Sequence, residues 1–421
     1  SSEAKALRAH ESYVPQIDDF AMQARIAWEY PLDATTLFAD VHNVRPGSVE
    51  VWELIDGKPR MTSSSRFEIQ KVLPTSDWND PEGLLDSFTL SVSDRLMADV
   101  PVGIVLSGGL DSSLVCAVAR QAAEIAEQDV PECWTVAESE DNPDWQAAEL
   151  VASSLDLKHH QHILEPDSFH SKLPDLAWHG EDLDVTVLFF QPLFAKMAES
   201  VTVGLCGQGA DELHAGYPRY RDLEGHSKLI RSRLSDMDCS LTNLQGESWW
   251  SDDLTPEAHT KSLEDFLQFE LEHGQLSNFQ LRLVDRHSMA HSLEVRVPFL
   301  GSRHRESSNK LPMDWRLPPS HDEKAALRSA AELTNLPTEI VRRPKMPAGR
   351  ATSPRMIDSL LDDLNYFVEP IANRYPRLKR ALIKQPEIAI GLGLFESMHI
   401  LDGGKSKRSG DLSSLLEEVV S

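Results

Sequence analysis

The feature that most constrains this chain is the segment Val102-Gly103-Ile104-Val105-Leu106-Ser107-Gly108-Gly109-Leu110-Asp111-Ser112-Ser113. An apolar run enters a Ser/Gly turn, and the turn opens onto the helical spacing of Leu114 to Glu127. A strand that feeds a helix through such a turn gathers backbone N–H groups and the positive end of the helix dipole at one point, and that point binds phosphate. Glycine lets the backbone approach closely, and the hydroxyls of Ser107, Ser112 and Ser113 add donors. The arrangement suits a diphosphate. It has no Lys, so it is not the GxxxxGK[ST] loop of kinases and GTPases, and it is not GxGxxG. Asp111 inside an anion site would repel phosphate unless a divalent cation lay between them, so Mg2+ is expected to bridge Asp111 to phosphate oxygens. On this segment alone a plain strand-to-helix turn capped by Ser and Asp stays open.

The surrounding pattern repeats strand and helix. Short buried-strand candidates at Val102–Leu106, Cys133–Ala137, His160–Leu164 and Val201–Cys206 alternate with helical stretches at Leu114–Glu127 and Trp145–Ser154. This predicts an α/β fold, a parallel sheet with helices on both faces. Val49 to Leu54 alternates at period two after the turn signal Arg45-Pro46-Gly47, so residues 1–75 read as a small β-rich unit. Asp222 to Thr260 is irregular and polar, with Trp249-Trp250 as its bulky apolar feature. Helical periodicity returns over Leu263–His291, from Glu323, and over Ile357–Leu401 with breaks at Pro370, Pro376 and Pro386. The tail after Gly403-Gly404 is expected to be mobile. The resulting division is 1–75, 76–350 and a helical extension and tail over 351–421.

Bulk properties narrow the partners. A net charge of −26 disfavours nucleic acid, whose phosphates need clustered Lys and Arg. Either a salt-loving host or a well-solvated surface accounts for it. No apolar run is long enough for a membrane span. Ser1–Ser12 carries no secretory pattern, which sets a cytoplasmic expectation. Cys116, Cys133, Cys206 and Cys239 lie far apart without metal-ligand spacing and read as reduced thiols.

The Ser107–Ser113 loop resembles the SGGxDS signature of the ATP pyrophosphatase superfamily, whose members form an adenylate and release pyrophosphate. Three further segments resemble the asparagine-synthetase family within it. Gly207-Gln208-Gly209-Ala210-Asp211-Glu212 with Gly216-Tyr217 is similar to G(E/Q)G(A/S)DExxxGY. Asp285 to Leu300 is similar to DRxxMxxxxExRxPFLD, and Lys324-Ala325-Ala326-Leu327-Arg328 with Arg342-Arg343-Pro344-Lys345 is similar to K-x-x-L-R and R-x-K. The resemblance covers about residues 80–350. It implies an adenine nucleotide alpha hydrolase-like fold, ATP and Mg2+, and a carboxylate substrate, aspartate in the parent family. Leu106, Ser107, Gly108, Gly109, Asp111, Ser112, Ser113, Val136 and Gly207 would then hold ATP and pyrophosphate, and Asp111 and Asp211 the metal. Lys324, Glu212, Tyr217 and Gln208 would be catalytic, with Glu212 facing the substrate. Arg286 and Glu294 would bind substrate, although a structural salt-bridge network is the competing reading for that stretch.

The resemblance also reaches upstream. Leu32 to Phe38 and Arg45 to Ser48 look like the end of a class II glutamine amidotransferase domain, so ammonia is expected from a glutaminase subunit or a missing N-terminal domain. Two departures stand out. Gln208 occupies a position where many members carry Glu, and Gln cannot act as a general base. Gly301 replaces the Asp of PFLD. Relatives of the β-lactam synthetase or lasso-peptide cyclase type, which close an internal amide, are the alternative function. A nucleotide-binding homologue without turnover and a tRNA-modifying enzyme are further rivals, and homo-oligomerisation is left open.

Overall fold

The computed structural model describes residues 1–67, 74–75, 77–166, 170–238, 254–319, 322–346 and 352–421. Strands β1 (Ser48–Ile55) and β2 (Lys58–Arg66) form an antiparallel hairpin. Strands β3 (Val102–Val105), β4 (Glu132–Ala137), β5 (His159–Ile163), β6 (Val203–Leu205) and β7 (Glu294–Arg296) form one parallel sheet in the order β5-β4-β3-β6-β7. From β3 the chain builds outward through β4 to β5, then crosses back to place β6 on the other side of β3. The order therefore reverses between β3 and β6, and the crevice outside their carboxyl ends is where ligands bind in open parallel sheets.

Each sheet face has its own core, which is why the inner strands β3 and β6 read as continuous apolar runs, while the edge strands β5 and β7 carry polar residues. Ile104, Leu106 and Leu205 pack with Phe88, Leu114, Val118 and Val151 from the helices Pro81–Leu96, Leu110–Ala126 and Pro143–Ser154. On the opposite face Trp134 and Val136 join a larger cluster that includes Phe194, Met197 and Phe279. That cluster also takes in Phe20 to Phe38 from the N-terminal part and Phe367, Phe395 and Leu416 from the C-terminal part.

Within residues 1–75 the helix Asp19–Trp28 is buried along its whole length after its first residue, and Arg25 reaches Asp182 at 2.8 Å. The period-two stretch is the strand β1, but Val49, Val51, Trp52 and Leu54 are all exposed to solvent. A two-stranded hairpin gains little stability unless another layer covers its apolar side.

Three expectations change. Leu223–Ser235 is a helix and not an irregular excursion, with the Asp222 carboxylate accepting from the Gly225 N–H at 2.8 Å. Ile230 is its one fully buried residue, with Leu223 and Leu234 partly buried against the same cluster, so the apolar period that announces it is sparse among polar residues. Trp249, Trp250 and Cys239 lie outside the described residues. Pro370 sits in the first turn of the helix Val368–Arg374, and the chain breaks just before it in the 3-10 turn Asn365–Phe367. Finally, the tail ends in the helix Leu412–Val420, which buries Leu415, Leu416 and Val419 against the helix Pro386–His399 and its neighbours. Leu416→Ala should therefore cost about 2–4 kcal/mol and lower the melting temperature. An unchanged melting curve would mean that the last helix does not dock.

Candidate active site

The carboxyl end of β3 is fixed by its neighbour. Leu106 N–H donates to Trp134 O at 2.9 Å, and the Thr135 hydroxyl donates to Leu106 O at 2.6 Å. The chain then turns through Ser107, Gly108 and Gly109. Ser107 N–H donates to Ser112 Oγ at 3.1 Å, the two hydroxyl oxygens lie 3.0 Å apart, and Ser112 Oγ donates to Gly109 O at 3.2 Å. No side chain caps the helix Leu110–Ala126 at Gly109. Its first N–H groups are thus left to a ligand. Ser113 Oγ is buried with no hydrogen-bond partner.

Beside this loop the end of β6 passes through Cys206, Gly207 and half-buried Gln208 into the short helix Ala210–His214. The two loops bring Asp111 and Asp211 together, and Lys324 lies between them. Its Nζ stands 2.6 Å from Asp111 Oδ1, 2.7 Å from Asp111 Oδ2 and 2.6 Å from Asp211 Oδ1. Lys345 closes the set from the other side, 2.7 Å from Asp211 Oδ2 and 3.4 Å from Asp111 Oδ2. Lys324 is 2% exposed and holds a left-handed backbone at φ 60°. That conformation is rare for a residue with a side chain and points to a positional demand. Gly216 makes room for it, because a Cβ there would fall 2.0 Å from Lys324 Cε.

The charges perturb one another. Burial pushes the Asp211 carboxyl up, but Lys324 and Lys345 outweigh it and hold Asp211 well below the usual carboxylate range. Burial pulls the Lys345 ammonium down, and Asp211 and Asp111 more than reverse that, so it stays charged. Glu212 differs. Burial, with Asp211 and Glu270 adding repulsion, pushes its carboxyl up to about 8, and neither of its oxygens has a hydrogen-bond partner. Tyr217 accepts at its hydroxyl from Gln280 Nε2 at 2.7 Å and carries Lys345 Nζ 5.6 Å from its ring centroid.

Two hard carboxylate donors suit Mg2+, which commonly takes one or two carboxylates and fills its shell with substrate phosphate oxygens. Here both carboxylates are engaged by ammonium groups, and among the described residues no cluster of three His, Cys, Asp or Glu is placed to hold a metal unaided. The donor set therefore fits an Mg2+ that arrives with phosphate.

The expected residues are not all brought together. Ser107, Gly109, Asp111, Ser112 and Lys324 line this crevice, Asp211 meets Lys324 and Lys345 beside it, the Tyr217 ring lies near Lys345, and Glu212 is fully buried next to Asp211. Leu106 and Val136 sit at the strand ends, but their side chains are buried in the two cores, so they form the floor beneath the loop. Glu294 does not reach the crevice. It begins β7, paired with Val203 at the amino end of β6, and its exposed carboxylate meets Arg296 at 2.8 Å. Arg286 is held by Gly180 O at 2.6 Å and Glu181 at 3.0 Å, within a buried ionic network. For both, the salt-bridge reading prevails over substrate binding. Gly301 has a packing reason, since a Cβ there would lie 1.9 Å from Ser91 Oγ.

Lys345 stood in a motif of the sequence without a role, and the structure sets its ammonium beside Asp211 and Asp111. The same segment brings Arg343 to Asp144 at 2.7 Å, and Arg328 steadies it by donating to Arg343 O at 3.1 Å. Asp144, Lys324, Arg343 and Lys345 thus share a cleft with Ser107 and Asp111. The signal for Lys345 was its spacing from Arg343, and its role emerges only when it meets two aspartates from distant loops.

The asparagine synthase family profile matches residues 83–397. The chain is 28% identical over 376 residues to the glutamine-hydrolyzing asparagine synthetase of Gallus gallus, covering 82% of this chain and 60% of that protein. It is 26% identical over 398 residues to glutamine-hydrolyzing asparagine synthetase 1 of Bacillus subtilis (strain 168), covering 82% and 61%. The chain thus spans about 60% of the length of these relatives. A solved NMN synthetase from Francisella tularensis superposes with a TM-score of 0.26 and 16% identity over 51% of this chain and 94% of that one. Among the described residues no helix is long and apolar enough to cross a membrane. With three quarters of its length matched by one family profile, the chain belongs to the asparagine synthase family.

Proposed function

We propose that this chain forms an amide at the expense of ATP through an acyl-adenylate, with aspartate as acyl substrate and ammonia as nitrogen donor. The observation that carries the reading is the buried set Asp111, Lys324, Asp211 and Lys345 facing an uncapped Ser/Gly loop at the point where strand order reverses. The substrate carboxylate attacks the α-phosphorus of ATP, pyrophosphate leaves, and ammonia displaces AMP from the acyl carbon. Ser107, Gly108, Gly109, Ser112 and Ser113 receive the departing pyrophosphate. Asp111 and Asp211 would hold Mg2+, which when bound supplies charge neutralisation at the phosphates. Lys324 and Lys345, released from the carboxylates, then face the phosphate oxygens on which charge grows in the transition state. Gln208 stays neutral and can orient a substrate by hydrogen bonds but cannot remove a proton. The exposed apolar residues of the hairpin, Val49 and Val51 on one face and Trp52 and Leu54 on the other, support a glutaminase component that packs around it and delivers ammonia.

Asp111→Asn should lower aspartate-dependent pyrophosphate release at least about a hundredfold, the size of a lost electrostatic contact at the reacting phosphate, with the fold intact by circular dichroism. Activity above about a tenth of wild type would overturn the metal assignment.

The two lysines separate by burial. Lys345→Ala should lower turnover about a hundredfold or more with little change in the Michaelis constant for ATP, because its charge meets the extra negative charge of the transition state. Lys324→Ala should also lower stability by about 3 kcal/mol, since it leaves two buried carboxylates to share Lys345 alone. Steady-state kinetics with thermal melts on both variants decide this, and a Lys345→Ala enzyme of normal turnover would reduce that residue to a binding contact.

A third expectation concerns nitrogen. Cys116, Cys133 and Cys206 are all buried, and burial pushes the Cys206 thiol up to about 11, so none of the described cysteines presents a reactive thiolate. Ammonium should support asparagine formation by the isolated chain and glutamine alone should not. Equal rates with both donors would contradict the need for a separate glutaminase.

A further inference from the structure

On the reading above Lys345 meets the reacting phosphate, yet Arg343 to Met346 belong to no helix or strand that would fix its ammonium. Its anchor lies two residues earlier. Arg328 Nη1 donates to Val341 O and, at 3.1 Å, to Arg343 O, while the Arg343 guanidinium donates to Asp144 Oδ1 at 2.7 Å. Arg343 is therefore pinned at its carbonyl and at the far end of its side chain. Pro344 passes that constraint on, because proline locks its own φ and confines the residue before it to extended backbone. Lys345 follows directly, with its ammonium 2.7 Å from Asp211 Oδ2.

Asp144 is otherwise an unexpected residue for this place. It lines the phosphate crevice, where a carboxylate repels the ligand unless a cation cancels its charge. It is not needed as a helix cap either, since Asn142 Oδ1 already accepts from the N–H groups of Asp144 and Trp145 at 2.8 and 3.4 Å. The platform that carries it is rigid. The helix Pro143–Ser154 abuts the phosphate loop so closely that a Cβ on Gly108 would lie 2.6 Å from both Ala147 Cβ and Ala148 N. The turn between β4 and this helix also grips the chain beyond Lys345, because Thr352 O accepts from Glu138 N–H at 3.3 Å and from Asn142 Nδ2 at 3.4 Å.

We propose that Asp144 is a positioning residue for the amide-forming reaction, setting through Arg343 and Pro344 where the Lys345 ammonium stands, a role that rests on the reading of Lys345 as a cation at the reacting phosphate. Loss of an acid from the rim of an anion site does not weaken ATP binding. What suffers is the alignment of Lys345 with the charge that grows in the transition state.

The test uses the full chain with Mg·ATP and aspartate and compares Asp144→Asn, Asp144→Glu, Lys345→Ala and the double variant Asp144→Asn/Lys345→Ala with wild type. Asp144→Asn should lower turnover in pyrophosphate release about tenfold or more while the Michaelis constant for ATP stays or falls. Asp144→Glu, which keeps the charge, should recover most of that loss. In the Lys345→Ala background Asp144→Asn should cost less than about twofold, since two residues acting in one chain of contacts are not additive. Normal turnover in Asp144→Asn, a raised Michaelis constant with turnover unchanged, or a loss that adds in full to that of Lys345→Ala overturns the proposal. Should wild type release no pyrophosphate with any carboxylate, it is the proposed function that fails, and the position of Lys345 is then read directly by acetylation with acetic anhydride and peptide mass spectrometry. Relative to the exposed Lys228, Lys345 should react about tenfold or more faster in Asp144→Asn than in wild type while the buried Lys324 stays protected, as expected for a local opening. Equal labelling of Lys345 in both proteins, or a matching rise at Lys324, overturns the positioning role.

Discussion

The Lys324 ammonium, bound on two sides by Asp111 and Asp211, is the interaction on which the carboxyl edge of the sheet depends. It joins the loop after β3, the loop after β6 and the start of the helix Ala325–Ala331 at one buried point. Each carboxylate would repel the other without it, and in a low-dielectric interior that repulsion is large. The left-handed backbone of Lys324, the absence of a side chain at Gly216 and the bond from Lys324 N–H to Arg316 O at 2.7 Å are all conditions for that one ammonium to stand where it does.

The same cluster explains how an acidic protein binds a polyanion. Net charge is −26, yet the crevice presents two ammonium groups and uncapped helix N–H groups. The lysines hold the carboxylates in place before a ligand arrives, so the dipoles and charges that phosphate needs are already oriented. Pre-oriented charge of this kind spends no reorganisation energy at the moment of reaction. Lys345 differs from Lys324 in being 23% exposed in its side chain, on a segment that Arg328 fastens through Arg343 O. The crevice thus has a fixed cation beneath it and a second at its mouth.

Beyond the crevice the molecule is knitted together by its larger core. Phe38 from the N-terminal part packs in a tilted arrangement on Phe395 from the C-terminal part, with ring centroids 5.1 Å apart, and Arg25 supports the segment that carries Asp182 and Leu183. The same part of the molecule holds the buried Glu181 network, including Arg286. Arg286 and Glu294 are thus engaged in ion pairs within the protein, while Asp111 and Asp211 stand at the helix starts that follow β3 and β6.

What the sequence determined by itself was local. Apolar runs located β3, β4 and β6, because a strand covered on both faces needs an apolar string, whereas β5, His159 to Ile163, is a partly buried edge strand rich in His. The phosphate loop was legible because its turn chemistry and its helix start lie within seven residues, Ser107 to Ser113. The tertiary structure decided everything that depends on distant partners. Lys324 finds Asp111 across 213 positions, and no periodicity encodes such a pairing. Lys345 meets Asp211 and Asp111, and Glu294 comes to lie at the amino edge of β7 away from them, for the same reason. The tail helix shows the limit from the other side: its Gly-rich, charged approach reads as mobile, and only the groove that buries Leu415, Leu416 and Val419 makes it ordered. Periodicity along a chain fixes which segments become strands and helices, whereas charge pairing and burial depend on which segments the folded chain sets side by side.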